Sequence, residues 1–136
     1  MSAVVKSTKA GYDAISAQTC ITISGLLSAA NTAGKFKKLD PVYIDSNGAV
    51  TAAFDDTTGF KFDGFAMSAS DSDGMTPCTI KGLGLIMEWL EDSDDYTPGT
   101  KFYVGAANQL ETTGTTAVAM AISNKEIIVI AAPGIR

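Results

Sequence analysis

Residues 42–51, VYIDSNGAVT, contain the clearest structural signal in this 136-residue sequence. The stretch starts with Val42, Tyr43 and Ile44, which are β-branched or aromatic residues of the kind enriched in strands. The Asn47-Gly48 pair that follows favours positive φ at both turn positions, and this is a strong short-range signal of a β-hairpin. The stretch therefore predicts a strand, a tight turn and a returning antiparallel strand.

The chain around this hairpin repeats the pattern of short strands and turns. Predicted strands cover Phe60–Phe62, Gly64–Met67, Thr79–Lys81, Leu83–Trp89, Lys101–Val104, Val118–Ile122 and Glu126–Ala131. Strands at spacings of about 8–12 residues with turn signals between them are typical of an all-β barrel or sandwich. No window shows a sustained helical period, although Asp13–Leu27 could hold a short helix. We therefore predict an all-β domain over residues 35–136.

The two halves of this predicted domain resemble each other. Residues 42–51 align without a gap with residues 102–111, and residues 65–71 align with residues 118–124. Each half then consists of strand, turn, strand, variable loop and strand, which predicts a weak internal two-fold repeat. Alternatively, the segments are alike only because hairpins of one class have similar sequences. With either explanation, we expect the two halves to have the same sheet topology.

The first 34 residues differ in composition from the rest of the chain. Nineteen of them are Ala, Gly, Ser or Thr, and the only charges are Lys6, Lys9 and Asp13. Residues 19–23 alternate polar and apolar side chains in the manner of a strand. We predict an extended N-terminal arm over residues 1–34 with one short strand. Such an arm either adds a strand to a partner's sheet edge or is simply a frayed terminus.

The composition favours contact over catalysis. The net charge is −5, and the chain lacks histidine, the side chain most often used for acid–base catalysis and common in zinc sites. This net charge also argues against binding to nucleic acids and anionic membranes, which normally needs a basic face. Ala, Gly, Ser and Thr supply 58 residues, and small side chains lose little entropy when another surface covers them. We expect no enzyme activity and no nucleic-acid or membrane partner.

The motifs that resemble reactive or metal sites are incomplete. Asp71-x-Asp73-Gly74 resembles part of a calcium loop, but that frame puts Ala69 and Ile80 where oxygen ligands are required. The acidic run from Glu88 to Asp95 is typical of a solvated loop. We therefore predict no catalytic residue, no metal site and no cofactor. A small enzyme would have to use a carboxylate pair such as Asp71 and Asp73.

Cysteines and lysines suggest structural or interaction roles. Cys20 and Cys78 have neither a CxxC neighbour nor a histidine companion, so we expect two free, mostly buried thiols. Residues 35–38 contain three lysines, which either pair with an acidic partner surface or keep an edge strand from aggregating.

No signal peptide or membrane span is predicted, so we expect a soluble protein made in the cytoplasm.

Several segments resemble a known family. They are Leu85–Trp89, Thr97-Pro98-Gly99-Thr100-Lys101-Phe102-Tyr103-Val104, Asn108-Gln109-Leu110, Val118–Ser123 and Ile127–Ile130. Together they are similar to the capsid decoration proteins of tailed bacteriophages, also called cement or head-stabilising proteins. In that family a G-x-x-[VLF]-[YF]-[VW] strand, a G-x-[LV]-T turn and a G-x-A strand precede a final aliphatic strand. Here Asn108 replaces the turn glycine, and Ala117 replaces the glycine before the alanine strand.

This resemblance implies a small β-barrel or β-tulip-like domain with an N-terminal arm. It implies homotrimers on the outer surface of the expanded icosahedral head, in the virion, that stabilise contacts between major capsid subunits. The partners would be the major capsid protein and further copies of the chain, which is made in the host cytoplasm. From position and residue type, we expect capsid contacts at Val4, Val5, Ile21, Ile23 and Trp89. The alternative is a fibre, tail-tip or adhesin-type module that binds a host-cell ligand.

Overall fold

A computed structural model of the chain describes residues 3–30, 35–52, 61–70, 76–91, 96–105 and 109–135. Its regular structure is nearly all β, so the prediction of a small β domain is confirmed. In chain order the elements are β1 (Ala3–Val4), β2 (Lys6–Tyr12), α1 (Ala14–Thr19), β3 (Thr22–Leu27), β4 (Pro41–Ile44), β5 (Val50–Ala52), β6 (Gly64–Ala66), β7 (Pro77–Lys81), β8 (Ile86–Leu90), β9 (Lys101–Val104), β10 (Leu110–Glu111), β11 (Ala119–Ala121) and β12 (Glu126–Val129).

The strands form two antiparallel sheets. One sheet has seven strands in the order β1-β10-β9-β11-β12-β8-β2, and the other has five in the order β3-β7-β6-β4-β5. The outermost strands of the larger sheet, β1 and β2, are separated in the chain by Val5 alone, so this sheet must curl. In the smaller sheet, Ser28 follows β3 directly and forms a bridge with Val50 of β5, where the Ala29 N–H donates to the Val50 carbonyl at 2.7 Å. Both sheets thus bring their outermost strands together.

The two halves of the chain have the same strand order. The sequence β3-β7-β6-β4-β5 in the first half corresponds to β8-β12-β11-β9-β10 in the second. Tyr43 pairs with Thr51 as Tyr103 pairs with Glu111, which is the alignment of residues 42–51 with residues 102–111. A hairpin forms at Asn47-Gly48 as predicted, although of these two residues only Gly48 has a positive φ, of 78°.

The third strand of each half is aligned differently from the sequence prediction. The Ala66 N–H donates to the Asp40 carbonyl, and the Ala121 N–H donates to the Thr100 carbonyl, so Ala66 corresponds to Ala121. Aligning residues 65–71 with residues 118–124 places Ala66 on Ala119 instead, two residues too early. A slip of two positions preserves which side chains face the core, so sequence pattern alone does not reveal it.

The N-terminal arm is not confirmed in the part of the segment that the structure describes. Residues 3–30 contain three strands and a helix instead of one short strand, and these elements pair with the rest of the fold. The helix begins because Asp13 caps it: its Oδ1 accepts from the N–H groups of Ile15 at 2.9 Å and Ser16 at 3.0 Å. Helix α1 therefore occupies the start of the alternating stretch, and β3 begins only at Thr22.

Two hydrophobic clusters fill the interior. The larger cluster includes Leu39, Trp89 and Phe102 together with Val4 and Ala17 from the N-terminal segment. The smaller cluster lies within the five-stranded sheet and includes residues such as Phe36, Val42 and Ile80. Burying large apolar side chains is the main favourable term in folding, so the N-terminal segment contributes to stability as well as to sheet pairing. In the described ranges, no helix has the length and apolar character needed to cross a membrane.

Candidate functional site

A groove of about 550 Å³ opens where β1 and β2 meet the segment that precedes β4. Its lining combines apolar side chains with lysines: Val4, Phe36 and Trp89 on one hand, and Lys6, Lys35 and Lys37 on the other. Asp40 is also part of the lining, so lysines outnumber this carboxylate. The groove therefore carries local positive charge, although the whole chain has a net charge of −5.

A β-turn over residues 37–40 forms one wall of the groove. The Asp40 N–H donates to the Lys37 carbonyl at 3.1 Å, and Leu39, at the third position, has a φ of 64°. This geometry defines a type II turn, whose third position normally needs glycine or asparagine. A side chain with a Cβ in this left-handed region costs about 1–2 kcal/mol. Leu39 is the only residue other than glycine with positive φ in the described part of the chain.

Packing and hydrogen bonds hold Leu39 in this conformation. Its side chain is completely buried in the larger hydrophobic cluster. Its N–H donates to the Ala66 carbonyl at 2.7 Å, and its carbonyl accepts from the Trp89 indole Nε1 at 2.7 Å. These interactions fix the turn in one form, so the side chains of Lys37 and Asp40 are held at the groove.

The corresponding turn of the second half has glycine at this position. Gly99 has a φ of 95°, its N–H donates to the Ala121 carbonyl at 2.8 Å, and the Thr100 N–H donates to the Thr97 carbonyl at 3.1 Å. Gly99 is therefore equivalent to Leu39, and the repeat meets the same backbone requirement with an unstrained residue. The strained residue stands in the turn that forms one wall of the groove. Strain of this kind clusters at functional sites, which favours the groove as the candidate site.

The Asp40 carboxylate ties the turn to β2. One of its oxygens accepts from Lys6 Nζ, and the other accepts from the Lys37 N–H at 2.8 Å. Lys6 Nζ also donates to the Lys38 carbonyl at 2.8 Å. A buried carboxylate is tolerated when it is paired and hydrogen-bonded in this way. Because both oxygens already accept from protein donors, Asp40 is placed to shape the groove rather than to take a proton from a ligand.

The opposite wall is also held by hydrogen bonds. The Phe36 N–H donates to Ser70 Oγ at 2.9 Å, and the Ser70 N–H donates to the Phe36 carbonyl at 3.0 Å. These bonds fix the backbone next to Lys35 and Lys37, whose side chains are exposed. The groove thus presents exposed lysine side chains on a backbone that hydrogen bonds hold in place. Such a surface suits a partner segment that combines carboxylates with an apolar side chain.

The five predicted contact residues fall into two groups. Val4, Val5 and Trp89 line the groove. Val4 and Trp89 are only 3% and 1% exposed, so a partner can hardly contact their side chains. Val5 is 62% exposed and can be contacted directly. Ile21 and Ile23 are remote in sequence from this group and flank or belong to β3, where Ile21 is exposed and Ile23 half-buried.

Sequence reasoning missed the residues that shape the groove. The lysines at 35–38 were recognised as a basic cluster, and the structure places Lys35 and Lys37 at the groove but Lys38 Nζ over the ring of Tyr12, 5.3 Å from its centroid. Lys6 and Asp40 gave no signal because they meet only through folding. The alignment of Leu39 with Gly99 was the one sequence clue to the strained turn.

Other sequence candidates have different outcomes. Cys20 and Cys78 are free thiols, one half-buried and one buried, as expected. Asp71 and Asp73 lie outside the described residues, as does residue range 92–95 of the acidic run. Among the residues that the structure describes, no group of three or more His, Cys, Asp and Glu side chains is placed to hold a metal ion.

Comparisons of the chain with family models, curated proteins and solved structures find no match.

Proposed function

We propose that this chain is a non-enzymatic capsid decoration protein of a tailed bacteriophage. It binds the outside of the expanded head as trimers and stabilises contacts between major capsid subunits. The observation that carries this proposal is the groove, since a fixed, locally positive wall beside an apolar floor is suited to holding a segment of another protein. The similarity of residues 85–130 to decoration proteins supplies the identity of that partner.

The groove favours a partner segment with acidic side chains around an apolar one. Val5 is the exposed apolar side chain of the lining against which a partner can pack, and Lys35 and Lys37 lie where carboxylates can approach. Exposed charge pairs contribute only about 0.2–1 kcal/mol each, so a single groove binds weakly. A trimer engages several capsid subunits at once, and this multivalency raises the overall affinity by orders of magnitude. Weak individual grooves are therefore compatible with stable decoration.

The location follows from the same proposal. The protein is made in the host cytoplasm and resides on the outer capsid surface of the virion, with the major capsid protein and its own copies as partners. No cofactor is needed for this function.

Co-sedimentation with expanded, undecorated phage heads tests the proposal. The wild-type chain is expected to saturate near three copies per threefold site. The double variant Lys35→Glu/Lys37→Glu is expected to bind at least about tenfold more weakly, because two attractive contacts become repulsive. Lys101→Glu, which reverses an exposed lysine on β9, is the matched control and should bind like the wild type.

The outcomes separate the identity of the partner from the role of the groove. Absence of saturable binding, or only a handful of copies per particle, contradicts the decoration proposal and favours a fibre, tail-tip or adhesin-type module. Undiminished binding of the double charge variant shows that the groove is not the contact. Deletion of residues 1–25 is unsuitable here, because it removes β1, β2, α1 and part of β3 from the fold. Val5→Glu tests the N-terminal contact instead, because Val5 is 62% exposed.

A further inference from the structure

Lys6 connects the two walls of the groove. Its backbone starts β2, which pairs with β8, and the Val5 carbonyl before it accepts from the Glu91 N–H at 3.3 Å. Its side chain reaches the turn on the other wall, where Nζ donates to the Lys38 carbonyl at 2.8 Å and to the Asp40 carboxylate. Contacts of the backbone and of the ammonium group therefore hold this residue in one place.

One donor of the Lys6 ammonium group is left for a ligand. A lysine ammonium has three N–H donors and no acceptor. The Lys38 carbonyl and the Asp40 carboxylate use two of them, and among the residues that the structure describes Nζ has no third partner. Lys6 lines the groove with a side chain that is 23% exposed, so a group that enters the groove can reach it. A carboxylate would accept from this donor in a charge-assisted hydrogen bond, which is about twice as strong as a neutral one.

Lys6 differs from Lys35 and Lys37, the other two lysines of the lining. The side chains of Lys35 and Lys37 are exposed, and long exposed side chains lose rotamer freedom when a partner orders them. The Lys6 side chain is held by its two hydrogen bonds before a partner arrives. A donor that is already positioned loses less conformational entropy on binding. We therefore expect Lys6 to contribute more to the affinity for a carboxylate than either exposed lysine.

Asp40 limits this affinity. Its residue is only 4% exposed, so a ligand in the groove meets the Lys6 ammonium rather than the Asp40 carboxylate. Two acceptors on one tetrahedral ammonium lie about 4.5 Å apart, because each is about 2.8 Å from the nitrogen. A second carboxylate on Lys6 would therefore stand close to Asp40, and like charges at this separation repel each other.

We propose that Lys6 Nζ is the main contact for a carboxylate of the partner, and that Asp40 is an internal counter-ion that positions Lys6 and keeps this contact weak. The inference rests on the proposed function, since it names the chemical group that the same groove takes. Val5 is adjacent to Lys6 and 62% exposed, so the apolar part of the ligand packs there. The matching ligand is a carboxylate attached to an apolar group.

Binding of hexanoate to the full chain tests the proposal, and hexanamide is the control probe with the same alkyl chain and no charge. Both are titrated at constant ionic strength, so that general screening does not change, while the NMR signals of the Lys6 amide and Cε are followed. Hexanoate should shift these signals in a saturable way. It should bind at least about tenfold more tightly than hexanamide, because only the carboxylate forms the charge-assisted bond.

Substitutions on the two sides of the ion pair should change the affinity for hexanoate in opposite directions. Lys6→Gln removes the ammonium and should weaken binding about tenfold or more. Asp40→Asn removes the repelling charge and should strengthen binding about threefold or more. Both variants break the same ion pair, so a purely structural role of the pair would not give opposite signs. Lys101→Gln and Glu88→Gln are the matched controls, because they make the same charge changes at exposed residues outside the groove lining and should bind like the wild type.

The outcomes that overturn the proposal are distinct. Circular dichroism first checks that each variant is folded. Lys6 signals that hexanoate leaves unchanged in the wild type overturn the proposal, and so do equal affinities for hexanoate and hexanamide. A change of the same sign in Lys6→Gln and Asp40→Asn also overturns it.

Co-sedimentation of Lys6→Gln with phage heads separates this proposal from the decoration function. If the wild type fails to bind heads but hexanoate binding behaves as expected, decoration fails and the carboxylate site stands. If the wild type binds heads, and Lys6→Gln binds both heads and hexanoate equally well, decoration stands and the role of Lys6 fails.

Discussion

Replacing Leu39 by alanine and by glycine measures the strain in the turn that forms the groove wall. Leu39→Ala keeps a Cβ at a φ of 64° and removes most of a fully buried side chain, which costs about 3 kcal/mol. Leu39→Gly removes a further methyl group worth about 0.8 kcal/mol and adds up to about 1 kcal/mol of freedom to the unfolded chain. It also releases about 1–2 kcal/mol of left-handed strain. The two variants should therefore have the same free energy of unfolding to within about 1 kcal/mol.

The comparison needs a buried site with an ordinary backbone. Val42 on β4 is completely buried and is not among the residues with positive φ. There the glycine variant should be less stable than the alanine variant by about 1.5 kcal/mol, since no strain is released. Urea unfolding monitored at several wavelengths gives the free energies, provided that the slopes agree. A gap at Leu39 as large as the gap at Val42 would refute the strain argument. Gly99→Ala adds a reciprocal check: its Cβ meets nothing within 4 Å, so the expected loss of about 1 kcal/mol is conformational.

Three further changes test other parts of the fold. Trp89→Phe leaves the Leu39 carbonyl without its indole donor and should lower the free energy of unfolding by about 1–3 kcal/mol; an unchanged urea midpoint would contradict this role. Gly64→Ala places a Cβ 2.8 Å from a backbone oxygen of β7 and should cost about 1–3 kcal/mol, whereas a neutral effect would mean that the sheet is looser than described. In the native chain, Cys20 should react with a thiol reagent before the buried Cys78, and equal rates are expected only in denaturant.

The sequence predicts local hairpins well because their signals are local. Asn47-Gly48 lies in the β4–β5 turn, where the Asp45 N–H donates to the Ala49 carbonyl at 2.9 Å. Strand β2 is different: Lys6–Tyr12 contains two lysines and a glycine and has no clear alternation. It is a strand because β8 pairs with it, and that partner lies far along the chain. Tertiary pairing of this kind overrides weak local preference.

The groove, too, could not be predicted from local sequence, because it depends on contacts between distant segments. Lysines near residue 37 are visible in the sequence, but the groove exists only because Ser70, Asp40 and Lys6 are brought together from distant segments. The conformation of Leu39 was unpredictable from its type, since leucine is normally excluded from the left-handed region. The sequence indicates the positive φ of Leu39 only through the internal repeat, in which Gly99 occupies the equivalent position.

The position of the first strands has a consequence for how the chain folds during synthesis. Lys6 pairs with Leu90 and Val4 pairs with Leu110, so these residues leave the ribosome well before their partners are made. The five-stranded sheet, in contrast, has all its strands once Lys81 has emerged. The first half can therefore assemble while the second is still being made, and closure of the larger sheet comes last. Contacts between such distant parts of a chain slow folding, so the rate-limiting step should be the docking of the N-terminal strands.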